Sequence, residues 1–100
     1  MKEISSAELK QLKDNNADFV LIDVREEYEY DEANLGGVLI PLAEVMARNS
    51  EIPKDKQVVV HCRSGKRSET AIKALEQNFG YTNLYNLRGG ILDYLDQYGH

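Results

Sequence analysis

Apolar residues along the chain fall into two kinds of pattern. FVLIDV at residues 19 to 24 and VVV at 58 to 60 are short, continuous runs rich in β-branched side chains, the composition of strands covered on both faces. Elsewhere apolar positions recur at helical spacing. Ser5 followed by Glu8 is a capping-box pattern, and Ala7, Leu9 and Leu12 continue it to about Asn15, which predicts a first helix. Ala71, Ile72, Leu75 and Phe79 share one helical face ahead of Gly80, a residue able to end a helix at positive φ. Between the two strands, EEYEYDEA predicts a short helix, GVLIP a brief strand stopped by Pro41, and LAEVMARN another helix ending before Pro53. NLYNL predicts a last short strand, Arg88-Gly89-Gly90 a turn, and ILDYLDQY a closing helix. Strand and helix alternate with short connections, so the fold class is α/β, a mainly parallel sheet sandwiched between helices.

Length and charge narrow the function. At 100 residues, the chain is expected to form one domain, residues 1–100, with one core. Seventeen acidic residues against twelve basic ones disfavour a surface that attracts nucleic acid or anionic lipid. No apolar run approaches the length of a membrane span. The chain opens MKEISSAELK, with no charged leader followed by an apolar stretch, and its single cysteine cannot form an internal disulfide. A reducing cytoplasm is the expected setting.

Ligands of open parallel sheets bind beyond the carboxyl ends of the strands, where loops meet the amino ends of helices. Two stretches reach that edge with reactive or charged groups: Asp23-Val24-Arg25 after the first strand, and His61-Cys62 after the second. Asp23 and Arg25 either face a shared crevice or tie down loops. If Ser68 starts the next helix, Cys62 to Arg67 form a tight loop in which Gly65 permits positive φ. Backbone N–H groups of such a curl form an anion-binding nest, reinforced by the helix dipole and by Arg63, Lys66 and Arg67. The nest favours a thiolate on Cys62, whose free thiol would have a pKa of about 8.5. Most lone intracellular cysteines are inert small hydrophobes. Here three cations fall within five residues of the thiol, while the rest of the chain has nine basic residues against seventeen acidic ones. A reactive Cys62 therefore needs an amide cup with an opening toward water.

These residues resemble the single-domain rhodaneses, thiosulfate sulfurtransferases that carry sulfur as a cysteine persulfide. LIDVREEYEY is similar to the family's Asp-Val-Arg-Glu segment with its following Glu-Tyr, LGGVLIP to the glycine-containing stretch leading to Ile-Pro, HCRSGKRS to the active loop, and LRGGI to the late Gly-Gly turn. Asn34-Leu35 stands where relatives usually have His-Ile, and Tyr94 where they commonly have Trp. The resemblance implies a rhodanese-like three-layer sandwich with about five short strands. It also implies double displacement, with Cys62 attacking the outer sulfur of thiosulfate or a similar donor and the persulfide passing to cyanide or a thiol, a thioredoxin-like protein among the candidate acceptors.

In that scheme Arg63 and Lys66 offset repulsion between thiolate and anionic donor, and the N–H groups of residues 63 to 67 hold the bound sulfur. Arg67 either contacts substrate or folds inward onto Asp23 as a brace. Ser64 and Ser68 offer hydroxyls, with Ser68 expected chiefly as a helix cap. His61, beside the nucleophile on a strand, is expected to point to the opposite face and tie down backbone. His100 is the only other histidine, so no metal site or cofactor is expected. The acidic run Glu26, Glu27, Glu29, Asp31 and Glu32 is expected to be a solvated face, and Gly89 and Gly90 turn residues that allow close approach. Two alternatives remain. One is a cysteine-dependent phosphatase or arsenate reductase on the same scaffold, whose loop places Arg at the sixth position after Cys, where this chain has Ser68. The other is a non-catalytic rhodanese-like interaction module.

Overall fold

A computed structural model describes residues 1–99, so His100 lies outside the described residues. Five strands form one sheet in the order β1-β5-β4-β2-β3: β1 (Glu3–Ile4), β2 (Phe19–Asp23), β3 (Val38–Leu39), β4 (Gln57–His61) and β5 (Leu84–Leu87). Every pairing is parallel, and β2 and β4 lie in register over their whole length, from Phe19 opposite Gln57 to Asp23 opposite His61. The two continuous apolar runs are thus neighbouring strands in the interior of the sheet. The four helices are α1 (Ser6–Asp14), α2 (Glu27–Glu32), α3 (Lys66–Phe79) and α4 (Gly90–Tyr98).

Alternation along β4 divides the core in two. Val58, Val60 and Cys62 face a cluster with Ala71, Ile72 and Leu75 of α3, together with Ile40, Val45 and Ile52. Val59 faces the opposite layer, where Leu9 of α1 packs with Ile91 and Tyr94 of α4. Tyr94, the departure from the family's usual Trp, is a buried member of that layer.

Local sequence accounts for the helix ends. The Ser5 hydroxyl accepts from the Glu8 N–H while Glu8 accepts from the Ser5 N–H, the reciprocal box expected from the sequence. Gly80, at φ 69°, ends α3. One expected helix is absent: LAEVMARN holds only the 3-10 turn Leu42–Glu44, and a second such turn, Asn49–Glu51, starts at its last residue. Pro41 and Pro53 bound that stretch, the Leu42 N–H is bonded to the Val24 carbonyl, and Val45 and Ile52 are both drawn into the core, which tertiary packing satisfies better than a continuous helix. β1 was not expected, being only two residues long.

Candidate active site

β4 ends at His61, and the next residue, Cys62, begins a loop that α3 closes at Lys66. Gly65, at φ 112°, is the helix cap, so α3 starts two residues before Ser68 and the curl is correspondingly shorter than expected. The left-handed turn at Gly65 aims its N–H back at the Cys62 sulfur, 3.1 Å away. The first carbonyls of the loop are tied to α4: the Cys62 and Arg63 oxygens accept from the Ile91 and Leu92 N–H groups at 3.0 and 3.1 Å. Their donors are the free N–H groups at the start of α4.

Gly90 permits this docking. A Cβ there would lie 2.3 Å from the Arg63 oxygen and 2.7 Å from the Cys62 oxygen. The close approach expected of the Gly-Gly turn is therefore made by Gly90 against the Cys62 loop itself.

Ser68 does not cap the helix. It is fully buried, and its Oγ sits 3.4 Å from Cys62 Sγ, 3.1 Å from the Gly65 oxygen and 2.6 Å from Asn86 Oδ1. Burial alone would push the Cys62 thiol up, but the Ser68 hydroxyl and the N–H groups of Ser68, Gly65 and Ser64 outweigh it, and the net displacement is downward. Cys62 is only 1% exposed, more enclosed than the opening expected from the sequence. Its cover is the polar loop on one side and the α3-facing core on the other.

Charge at the rim divides into free and committed cations. Arg63 and Lys66 are exposed and form no ion pair among the described residues. Arg67 is committed, but not to Asp23, the brace that was one of the two roles open for it. Its two terminal nitrogens fork onto Glu29 of α2 at 2.7 and 2.9 Å, because Asp23 is already occupied. Asp23 is completely buried and takes the Arg25 side chain on both oxygens at 2.8 to 3.1 Å. Arg25 then donates to the Ala33 carbonyl at 2.8 Å, tying β2 to the end of α2. Of the two readings open for this pair, loop bracing describes Asp23. Arg25 does the same and also lines a cleft of about 310 Å³ with Tyr28, Glu29, Arg63 and Leu92. Glu29, 13% exposed and held down to about 2 by Arg67, is thus part of the site framework rather than of a solvated acidic face. Glu26, Glu27, Asp31 and Glu32 remain exposed, as expected.

His61 points away from the sulfur. It is buried, with Nδ1 3.2 Å from the Cys62 carbonyl and Nε2 3.6 Å from Asp23. Among the described residues no group of three or more His, Cys, Asp or Glu side chains could hold a metal, and no helix is long and apolar enough to cross a membrane. Sequence reasoning missed Glu29 and Asn86. For Asn86 a signal was available, since asparagine is disfavoured inside a buried strand unless its amide has work to do.

The comparisons with known proteins agree with this geometry. Residues 5–97 match the rhodanese-like domain. The chain is 41% identical over 93 residues to a sulfurtransferase of Allochromatium vinosum, covering 92% of this chain and 86% of that protein. It is 36% identical over 101 residues to the tRNA uridine(34) hydroxylase of Bdellovibrio bacteriovorus, but spans only 29% of that protein's length. A rhodanese-related protein of Thermoplasma volcanium superimposes with a TM-score of 0.85 at 26% identity, covering 98% of this chain and 94% of that one. With its all-parallel sheet and its cysteine curled beneath the amino end of α3, the chain belongs to the rhodanese-like domain family of sulfurtransferases.

Proposed function

We propose that this domain transfers sulfane sulfur from thiosulfate, or a donor of similar charge, to cyanide or a thiol through a persulfide on Cys62. The observation that carries this reading is the inward-aimed Gly65 N–H at 3.1 Å from the sulfur, in a loop whose other polar groups also favour negative charge there. In the first step the Cys62 thiolate attacks the outer sulfur of thiosulfate. A new S–S bond forms, the old one breaks, and sulfite leaves with the bonding electron pair. In the second, cyanide or an acceptor thiolate attacks the terminal sulfur, and the electron pair of the broken bond returns to Cys62 as thiolate. The two steps together return the protein to its starting thiolate without net oxidation.

Arg63 and Lys66 serve the donor. Unpaired and exposed, they lower the repulsion that a dianion meets on approaching a thiolate. Arg67, held on Glu29, positions the start of α3. That commitment also tells against the phosphatase or arsenate reductase alternative, which needs a guanidinium free to fork onto a tetrahedral oxyanion. The exposed residues beside the enclosed sulfur are Arg63 and Ser64, the side from which a substrate approaches in this reading. A small thiol, or a thioredoxin-like protein offering a protruding thiol, fits such an entrance, and a reducing cytoplasm keeps the lone cysteine available. The acidic net charge supports neither a nucleic acid nor a membrane partner.

The test is thiocyanate formation from thiosulfate and cyanide by the wild type and by Cys62→Ser. Turnover is expected only in the wild type, and thiosulfate alone is expected to add one sulfur atom to its intact mass. Equal turnover in the two proteins would overturn the assignment. Hydrolysis of an aryl phosphate without thiocyanate formation would favour the phosphatase, and failure on both substrates the non-catalytic module.

A further inference from the structure

Asn86 lies in the interior of β5, 4% exposed, and both ends of its amide are engaged in the reactive loop. Nδ2 donates to the Gly65 carbonyl at 3.2 Å, and Oδ1 accepts from the Ser68 hydroxyl at 2.6 Å. This orientation is fixed by chemistry: turning the amide over would set Oδ1 against the Gly65 oxygen, two acceptors in contact. Asn86 does not touch the sulfur. Its reach to Cys62 is through Ser68 Oγ, 3.4 Å from Sγ.

Ser68 has one hydroxyl proton and three neighbours. Asn86 Oδ1 and the Gly65 oxygen can only accept, whereas Cys62 can donate as a thiol or accept as a thiolate. The Asn86 contact is the shortest of the three, so the proton lies there and a lone pair of Ser68 faces the sulfur. That arrangement suits an S–H. Once the thiol ionises, the hydroxyl must swing its proton to the sulfur and abandon Asn86.

We propose that Asn86 is a positioning residue that sets the direction of the Ser68 hydroxyl, and thereby whether the Cys62 sulfur meets a lone pair or a proton. The inference rests on Cys62 as the reactive sulfur, and it adds a brake. Asn86 holds the resting enzyme toward the thiol. Without Asn86, the Ser68 proton would rest on the Gly65 oxygen, 3.1 Å away, a weaker bond to give up when the thiolate forms.

The experiment is a double-mutant cycle read by titration rather than turnover. Cys62 is the only cysteine, so one labelled 13Cβ resonance reports its ionisation in the wild type, Asn86→Ala, Ser68→Ala and the double variant. Asn86→Ala is expected to lower the Cys62 pKa by about half a unit to one unit, the scale of one hydrogen bond. Ser68→Ala is expected to raise it, and adding Asn86→Ala to Ser68→Ala to change it no further. Loss of loop order alone would raise the pKa on removing Asn86 and would do so with or without Ser68. That result, or no shift at all, overturns the proposal. Asn86→Leu, which has the same heavy-atom branching as asparagine but no polar group, makes the same test if the alanine variant does not fold. Absence of thiocyanate formation in the wild type would count against the proposed function while leaving this titration interpretable.

Discussion

Arg67 and Glu29 meet through both terminal nitrogens and both carboxylate oxygens, at 2.7 and 2.9 Å, joining the first turn of α3 to the short helix α2. Glu29 also accepts from the Glu26 N–H at 3.0 Å, so one carboxylate closes α2 on itself and locks it to the start of α3 beside the Cys62 loop. α2 buries none of its own residues, and this pair supplies the anchorage that apolar packing does not.

The pair makes a pH prediction. Arg67 holds Glu29 at about 2, against 4.5 for an ordinary glutamate. A carboxylate depressed on folding stabilises fully above its unfolded pKa and loses that contribution as pH falls through the folded value, here from about 4.5 toward 2. Arg67 is about a third exposed, so solvent screening discounts the full linkage to about 1–2 kcal/mol. Urea denaturation at a series of pH values should show the wild type losing that much more than Glu29→Gln between pH 5 and pH 2. Parallel curves for the two proteins would show that the fork contributes nothing.

The free cations predict a kinetic effect without a stability effect. Arg63→Gln and Lys66→Gln should each lower kcat/KM for thiosulfate roughly tenfold, about 1.4 kcal/mol of lost charge stabilisation. The loss should shrink at high salt, and denaturation midpoints should hardly move, since neither side chain is paired or buried. Cyanide is singly charged and small, so its half-reaction should suffer less. A loss equal for donor and acceptor would point to damage of the loop itself.

Gly90 and Gly80 separate crowding from backbone strain. Both have positive φ, 61° and 69°, but a Cβ at Gly80 meets nothing within 4 Å, while one at Gly90 strikes the Arg63 and Cys62 carbonyls. Gly80→Ala should therefore cost about 1 kcal/mol of unfolding free energy and leave turnover intact. Gly90→Ala should cost about 3 kcal/mol or more and abolish turnover, because the carbonyls it displaces belong to Cys62 itself and to Arg63 beside it. Equal costs at the two positions would mean that α4 can retreat without disturbing the loop.

The contrast between these positions explains what was legible in the sequence. Local chemistry was readable: the Ser5 and Glu8 box, the glycine ending α3, the two apolar strands and the cation-rich loop after Cys62 all depend on neighbours within a few residues. Partner choice across the fold was not. Arg67 could fork onto any nearby carboxylate, and only the prior claim of Arg25 on Asp23 leaves Glu29 as its partner. The missing helix over 42–49 and the inward turn of Ser68 have the same origin, since each is decided by what the rest of the molecule places beside it.

His61 yields the last prediction. Its Nδ1–H points at the Cys62 carbonyl, which leaves a lone pair on Nε2 facing the Asp23 carboxylate at 3.6 Å with no hydrogen between them. Protonation would supply that hydrogen and the attraction of Asp23, but burial outweighs both, so the folded imidazole titrates below the usual 6.5. For a base depressed on folding, the unfolded chain binds the proton first. Stability is therefore complete above about pH 6.5 and falls as pH drops below it, by at most about 1.4 kcal/mol per pH unit until the folded pKa is reached. This window opens at a higher pH than that of Glu29, so the first loss of stability on acidification belongs to His61. Substituting His61→Gln should flatten the curve between pH 6.5 and 5, while Glu29→Gln should leave that region unchanged. A wild-type curve already flat between 6.5 and 5 would mean that Asp23 compensates the imidazolium fully, and that the orphaned Nε2 is a place where a proton is readily accepted.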